Sequence, residues 1–96
     1  MKFQWDEIKN RKNKKKHDVS FQQACLVFAD ENALTIFDDD HSDSEDRWIT
    51  LGRILSDNII LVVHTYRIKK DTEIIRIISA RKATKKEQEQ YFRENR

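Results

Sequence analysis

Ile59-Ile60-Leu61-Val62-Val63 is the stretch of this sequence that decides its fold. Its β-branched residues favour an extended backbone, and apolar side chains at successive positions would cover both faces of a strand. A strand that is apolar on both faces lies inside a sheet, with a helix on at least one side. Residues 58–67 are therefore predicted to form a central strand.

The segments on either side predict the neighbours of this strand. Polar connections at Ser56-Asp57 and Lys69-Lys70-Asp71 separate it from β-rich segments at 47–54 and 72–81. Short connections join antiparallel neighbours, so these three segments are expected to pair side by side. Two shorter β-rich segments precede them, at Phe3-x-Trp5 and at 33–37.

Helices are predicted where a side chain can cap a helix N-terminus. Asp6 can start a helix that runs to about Lys16. Two capping boxes, Ser20-Phe21-Gln22-Gln23 and Thr84-Lys85-Lys86-Glu87, start a helix to about Ala29 and a last helix. The predicted fold class is therefore α+β: a small antiparallel sheet of about four strands, packed with N-terminal helices and one C-terminal helix.

A length of 96 residues fits one domain, residues 1–96, without room for a second hydrophobic core. No run approaches the roughly 18 apolar residues of a membrane span, and residues 1–10 lack the apolar stretch of a secretory signal. We therefore expect a cytoplasmic protein without membrane contact. The single cysteine, Cys25, has helical spacing to Phe21 and Phe28 and is predicted to be a core residue rather than a nucleophile.

The net charge of +2 hides an uneven distribution along the chain. Residues 1–17 hold seven Lys or Arg and two acids, residues 18–46 hold nine acids and no Lys or Arg, and residues 47–96 hold twelve Lys or Arg and six acids. This distribution predicts a basic surface for a polyanion and a separate acidic surface for a basic partner protein. Ordinary solvated charge is the alternative.

Several chemistries are disfavoured because the residues they need are missing. Gly52 is the only glycine, which excludes glycine-rich phosphate-binding loops, and no Gly-x-Ser-x-Gly elbow is present. The acidic run from Asp38 to Asp46 contains His41 but lacks the glycine and the spacing of a calcium loop, so it is predicted to be a solvated surface loop. We therefore expect neither a metal ion nor a cofactor.

Histidine, arginine and lysine remain as candidates for chemistry, and this set suits phosphodiester cleavage. Hairpin turns centred on Lys69-Lys70 and on Ser56-Asp57 would place His64 opposite Ile75 and Arg53 opposite Ile60. Since opposed residues share a face, one face would carry Arg53, Ile60, Val62, His64, Ile75, Ile77 and Arg81. The alternative is a hydrogen-bonded core histidine with two strand-edge arginines.

Further motifs run along most of the chain and together resemble one family. The N-terminal part contains Phe3-x-Trp5-Asp6-x-x-Lys9, Asn13-x-x-Lys16-His17, Val19-Ser20-Phe21-x-x-Ala24 and Phe28. The rest contains His41-Ser42-x-x-Glu45-x-Arg47, Leu51-Gly52-Arg53, Val63-His64-Thr65 and the highly specific run Ile75-Arg76-Ile77-Ile78-Ser79-Ala80-Arg81-Lys82-Ala83-Thr84-x-x-Glu87. The sequence is similar to the BrnT toxins of type II toxin-antitoxin systems. Asp18 departs from the family pattern, which usually has glycine there; aspartate tolerates a left-handed backbone, so the turn is expected to persist.

The resemblance implies a fold like that of the RelE and ParE toxins and a ribonuclease activity that arrests translation. It also implies a BrnA-like antitoxin with a ribbon-helix-helix DNA-binding domain. Two toxins and two antitoxins are expected to form a heterotetramer, which would contact operator DNA only through the antitoxin. A non-catalytic module that blocks translation by binding RNA or protein is the alternative.

Metal-free RNA cleavage needs proton transfer and stabilisation of a charged phosphorane. His64 or His17 is predicted to transfer protons. Arg53 and Arg81 are predicted to stabilise the phosphate charge, and Lys82 to bind RNA or assist the leaving group. A further set of cations is predicted to hold the RNA backbone: Lys9, Lys12, Lys15, Lys16, Arg76, Lys85 and Lys86.

Overall fold

The computed structural model describes residues 1–42 and 44–95. Its strands are β1 (Lys2–Gln4), β2 (Leu34–Phe37), β3 (Trp48–Arg53), β4 (Ile59–Lys69) and β5 (Thr72–Lys82). Its α-helices are α1 (Glu7–His17), α2 (Phe21–Ala24) and α3 (Lys85–Glu94). Short 3-10 helices cover Cys25–Ala29, which continues α2, and Asp39–His41 and Leu55–Asp57.

The described strands form one sheet in the order β1-β5-β4-β3-β2, which confirms that β4 is central. The prediction of an antiparallel sheet of about four strands is wrong, because the described residues form five strands and β1 pairs with β5 in parallel. Three residues of β1 make this pairing, from Lys2 opposite Ile74 to Gln4 opposite Arg76. Most of the chain separates β1 from β5, so no short turn fixed their relative direction.

One face of the sheet, called the α1 face, packs against α1, α2 and the 3-10 helix that continues α2. Phe21, Ala24 and Val27 are fully buried against Ile60 and Val62. Cys25 is partly buried in the same layer, as predicted, and burial raises the pKa of its thiol. The glycine of β3 permits this close packing, since a Cβ at Gly52 would lie 2.8 Å from the Cβ of Val27.

The α1 helix is fixed to the sheet by two buried asparagines rather than by an apolar stripe. Asn13 donates to the carbonyl oxygens of Val19 and Ala80 and accepts from the amide of Ala80. Asn10 accepts from the amide of Phe21. At the end of α1, Asp18 has the expected left-handed backbone, with φ 58°. The outward side of α1 is therefore free to carry its lysines.

The opposite face, called the α3 face, is covered only in part. Tyr91 of α3 and Ala83 pack on Leu51 and Ile59 in a second, smaller apolar cluster. Leu61 lies at the margin of this cluster. Because α3 covers one end of the sheet, the rest of the α3 face remains open beside the helix.

The strand registers differ from the predicted ones, and the difference moves both arginines to the α3 face. Arg53 pairs with Ile59 rather than Ile60, because the chain between β3 and β4 forms a 3-10 helix at Leu55–Asp57 instead of a tight turn. His64 pairs with Ile77 rather than Ile75, because the hairpin turn lies at Lys70 and Asp71, where both φ angles are positive.

A β-bulge at Val63 and His64 completes the change of register. Before it Val63 pairs with Ser79, and after it His64 pairs with Ile77, so Ile78 is an extra residue in β5. Arg81 consequently pairs with Leu61 on the α3 face, whereas His64 stays on the α1 face. The predicted common face for Arg53, His64 and Arg81 is therefore wrong.

The acidic segment is more structured than a solvated loop. Asp39 and Asp40 are exposed as predicted, but Asp38 is 8% exposed and continues the β2–β3 ladder through a 2.9 Å bond from its amide to the carbonyl oxygen of Arg47. Asp43, predicted to lie in this loop, falls outside the described residues.

Candidate active site

An open cleft of about 470 Å³ lies on the α3 face, between the acidic segment and the first turn of α3. Its polar lining includes Asp38, His41, Arg47, Ser79, Arg81 and Glu87. Residues from three separate parts of the sequence therefore meet there. The cleft floor is apolar, formed by β-strand residues that include Leu61 and Val63.

His41 lines the cleft, and its imidazole is oriented by Asp38. Its Nδ1 lies 3.1 Å from Oδ2 and 3.2 Å from Oδ1 of Asp38. The Asp38 side chain is only 10% exposed, whereas the imidazole is 67% exposed. The bond to Asp38 favours the tautomer with a proton on Nδ1, so Nε2 can accept a proton from a molecule in the cleft.

Ser42 holds the two ends of this segment together. Its hydroxyl donates to the carbonyl oxygen of Asp38 and accepts from the amide of Arg47 at 3.0 Å. Ser42 therefore links the segment that contains His41 to the residue just before β3. This link places Arg47 and His41 in the same cleft.

Arg47 contributes a guanidinium group that is only weakly neutralised. Its side chain is 33% exposed, and its Nε lies 3.9 Å from Oε1 of Glu45. This Nε is buried and has no hydrogen-bond partner in the described part of the chain. A buried donor without a partner is costly, and the exposed part of the guanidinium is available to an anion in the cleft.

Arg81 forms a two-pronged ion pair with Glu87. Nη1 donates to Oε1 at 2.8 Å and Nη2 donates to Oε2 at 2.9 Å, while Nη1 also donates to the carbonyl oxygen of Lys82 at 3.2 Å. The ion pair with Arg81 and the hydrogen bond from the backbone amide of Thr84 lower the pKa of Glu87 to about 2. The same pair raises the pKa of Arg81, so both groups stay charged.

His64, predicted as a proton-transfer residue, lies in the core. It is 3% exposed, with Nε2 2.7 Å from the Thr50 hydroxyl and Nδ1 3.0 Å from the carbonyl oxygen of Thr65. Burial lowers the pKa of the imidazole. The structure thus matches the alternative of a hydrogen-bonded core histidine.

The other predicted catalytic residues are divided between the two faces. His17 ends α1, and Lys82 pairs with Ile60, so both lie on the side of the sheet away from the cleft. Arg53 lies on the α3 face but beyond β4 from Arg81, with α-carbons about 10 Å or more apart. Of the five predicted residues, Arg81 is the one that lines the cleft.

The predicted RNA-binding cations are all exposed but lie on different sides of the molecule. Lys9, Lys12, Lys15 and Lys16 are on α1, behind the sheet as seen from the cleft. Lys85 and Lys86 are in the first turn of α3, next to Glu87. Arg76 is in β5, opposite Thr65.

His41 and Arg47 were not predicted as site residues, although both belong to the motif His41-Ser42-x-x-Glu45-x-Arg47. The motif was a signal that could have identified them. Because His41 lies within an acidic run, the charge pattern indicated only a solvated loop. Within residues 1–42 and 44–95, no cluster of three His, Cys, Asp or Glu side chains is arranged to hold a metal ion. No helix in the same residues is long and apolar enough to cross a membrane.

Comparisons with known proteins agree on one family. Residues 5–87 match the family model of the ribonuclease toxin BrnT of type II toxin-antitoxin systems. The chain is also similar to the crystal structure of the Brucella abortus ribonuclease toxin BrnT, with 24% sequence identity and a TM-score of 0.66, over 88% of this chain and 99% of that one. At this identity the structural likeness establishes the fold. No curated protein matches the sequence.

Proposed function

Because the chain belongs to the BrnT family of ribonuclease toxins of type II toxin-antitoxin systems, we propose that it cleaves RNA in the cleft on the α3 face, without a metal ion, and so arrests translation. One observation carries the proposal. An imidazole oriented by Asp38 and the guanidinium groups of Arg47 and Arg81 meet in a single open cleft. This is the set of groups that phosphodiester cleavage by the ribose 2′-hydroxyl requires.

In the proposed reaction, Nε2 of His41 accepts the proton of the 2′-hydroxyl. The 2′-oxygen then forms a bond to phosphorus, and the bond from phosphorus to the 5′-oxygen breaks. The departing 5′-oxygen takes a proton from water, which reaches the open cleft. The products are a 2′,3′-cyclic phosphate and a 5′-hydroxyl end.

Arg47 and Arg81 stabilise the extra negative charge that develops on the phosphorane. Preorganised donors aimed at such charge contribute most to the rate when they need no rearrangement. Ser79 is a further hydrogen-bond donor in the lining. The exposed lysines of α1 and of the first turn of α3 add electrostatic attraction for the RNA backbone without reading its sequence.

We further propose a BrnA-like antitoxin with a ribbon-helix-helix domain as the partner. The uneven charge supports this, since nine acids lie between residues 18 and 46 and basic residues dominate on either side. Two toxins and two antitoxins would form the neutralised complex, with operator DNA bound through the antitoxin. A toxin that acts on RNA to arrest translation would work where ribosomes are, so we also propose a cytoplasmic location.

Product analysis on purified RNA tests the proposed reaction. Cleavage in EDTA, giving 2′,3′-cyclic phosphate and 5′-hydroxyl ends, is expected for the wild-type chain and is expected to be lost in Arg81→Ala. Activity that disappears in EDTA and returns with Mg²⁺ would contradict the metal-free mechanism. Tight RNA binding without any products would instead support a non-catalytic module.

A further inference from the structure

The geometry points to Glu87 as a positioning residue that holds the Arg81 guanidinium in the orientation needed to bind the phosphorane. This inference rests on the proposed function, because it assigns Glu87 a role in the same cleft. Glu87 itself would not contact the reacting atoms. It would act through Arg81.

The carboxylate of Glu87 is held in place from two directions. The carboxylate accepts a hydrogen bond from the backbone amide of Thr84 at 2.8 Å. The backbone amide of Glu87 donates to the Thr84 hydroxyl at 3.2 Å, so Glu87 is part of the capping box of α3. The ion pair with Arg81 uses both of its oxygens. The capped start of α3 therefore holds the Glu87 carboxylate in place, and the carboxylate in turn orients the side chain of Arg81 on β5.

The ion pair occupies one edge of the guanidinium and leaves another edge available. Glu87 takes one N–H from each of Nη1 and Nη2, and the Lys82 carbonyl oxygen takes the second N–H of Nη1. The N–H of Nε and the second N–H of Nη2 have no acceptor among the described residues. These two form the side edge of the fork, which can bind two oxygens of one phosphate.

The same contacts would also fit a purely structural ion pair that only stabilises α3. The chain offers an internal control for that reading. The capping box of α2 uses Gln23 at the position that Glu87 occupies in α3, and Gln23 makes both capping bonds, at 2.9 and 3.0 Å. Glu87→Gln should therefore keep the cap of α3 while removing the charge and one strong acceptor that orient Arg81.

The test compares single-turnover RNA cleavage by wild type, Glu87→Gln and Thr84→Ala, at a temperature at which circular dichroism shows all three folded. In Glu87→Gln we expect the rate constant at saturating RNA to fall roughly 10- to 100-fold, as for a misaligned catalytic group. The RNA concentration at half-saturation should stay equal or fall, because a negative charge has been removed. Thr84→Ala removes the hydroxyl of the cap but keeps the hydrogen bond from the residue-84 amide to Glu87 and the ion pair, so its rate should fall by less than that of Glu87→Gln.

The double variant Arg81→Ala/Glu87→Gln separates action through Arg81 from an independent effect. If Glu87 works through Arg81, the double variant is no slower than Arg81→Ala. Additive losses, a wild-type or increased rate in Glu87→Gln, or an equal loss in Thr84→Ala would each overturn the positioning role. A wild-type rate in Arg81→Ala would instead overturn the proposed active site, whatever the result for Glu87→Gln.

Discussion

The Arg53 guanidinium lies over the Tyr91 ring, with its carbon 5.9 Å from the ring centroid and 5.5 Å from the centroid of Phe92. The Tyr91 hydroxyl donates to Oδ2 of Asp30 at 2.6 Å, and the amide of Arg53 donates to the same oxygen at 2.7 Å. This cluster ties α3 to the end of β3. The charge of Arg53 is therefore engaged within the fold rather than in the cleft.

Arg53→Ala should destabilise the protein and leave cleavage intact. Loss of the contact with the two rings should lower the free energy of unfolding by about 0.5 to 1 kcal/mol, with a further loss from the packed stem of the side chain. Arg81→Ala should instead lower the single-turnover rate about 10²- to 10³-fold. A folded Arg53→Ala variant that cleaves as slowly as Arg81→Ala would show that both arginines serve the reaction.

His64 should make stability depend on pH below neutrality. Burial lowers the pKa of His64 in the folded state, so below about pH 6.5 the unfolded chain binds a proton that the folded chain excludes. The contribution of neutral His64 is thus fully present above that pH and is lost as the pH falls, by up to about 1.4 kcal/mol per pH unit. Urea unfolding of wild type and His64→Gln from about pH 7 to 5 measures it. Parallel curves for the two proteins would contradict this account.

Glu87 should make the stability of the protein depend on pH in a more acidic range than His64 does. The ion pair with Arg81 lowers the pKa of Glu87 well below its ordinary value, to about 2 in the folded protein. The ion pair with Arg81 is therefore fully stabilising above about pH 5 and is lost as the pH falls through about 2. Because Arg81 is partly exposed, we expect about 1 to 2 kcal/mol. The difference in unfolding free energy between wild type and Glu87→Gln should shrink in this window, and a difference that does not change with pH would refute the assignment.

Antitoxin binding should depend on charge in one of two places. Asp39 and Asp40 are exposed beside the cleft, and Lys15 is exposed on α1. If a basic antitoxin segment meets the acidic segment, Asp39→Asn and Asp40→Asn should slow association and flatten its dependence on salt. If acidic antitoxin residues cover α1 instead, Lys15→Ala should slow association and flatten its dependence on salt. Association kinetics with the purified antitoxin would refute both versions if none of the three substitutions has an effect.

The parts of the fold that depend on local chemistry could be predicted from the sequence. Asp6, Ser20 and Thr84 cap their helices as expected, because each cap needs only a side chain and the amides two or three residues later. The apolar run Ile59 to Val63 likewise fixed the central strand. The RelE and ParE likeness that the family resemblance implies stays a prediction.

The strand registers could not be predicted, because several different features set them. Ile74, Ile75, Ile77 and Ile78 are apolar in both phases of the alternation, so nothing in their pattern marks the bulge. Lys70 and Asp71 adopt positive φ angles that sequence rules assign mainly to glycine and asparagine. As a result Arg81, whose role in chemistry stays a prediction, was assigned the wrong partners.

The sequence did not indicate His41 as a candidate site residue, because its orientation depends on tertiary structure. Its orientation depends on Asp38, which is buried because β2 and β3 continue their pairing beyond Phe37. An acidic run gives no sign that one of its carboxylates will be buried. Only the pairing of the two strands places Asp38, His41 and Arg47 together.

Replacing each of the three histidines with glutamine tests whether His41 is the general base, and the other two histidines serve as controls. Single-turnover cleavage of purified RNA in EDTA is measured for His41→Gln, His17→Gln and His64→Gln, each confirmed to be folded. We expect His41→Gln to lose about 10²- to 10⁴-fold in rate, as for the loss of a general base, and the other two variants to cleave like the wild type. A wild-type rate in His41→Gln, with the loss falling on His17→Gln instead, would contradict the proposed site and move the reaction to the opposite face of the sheet.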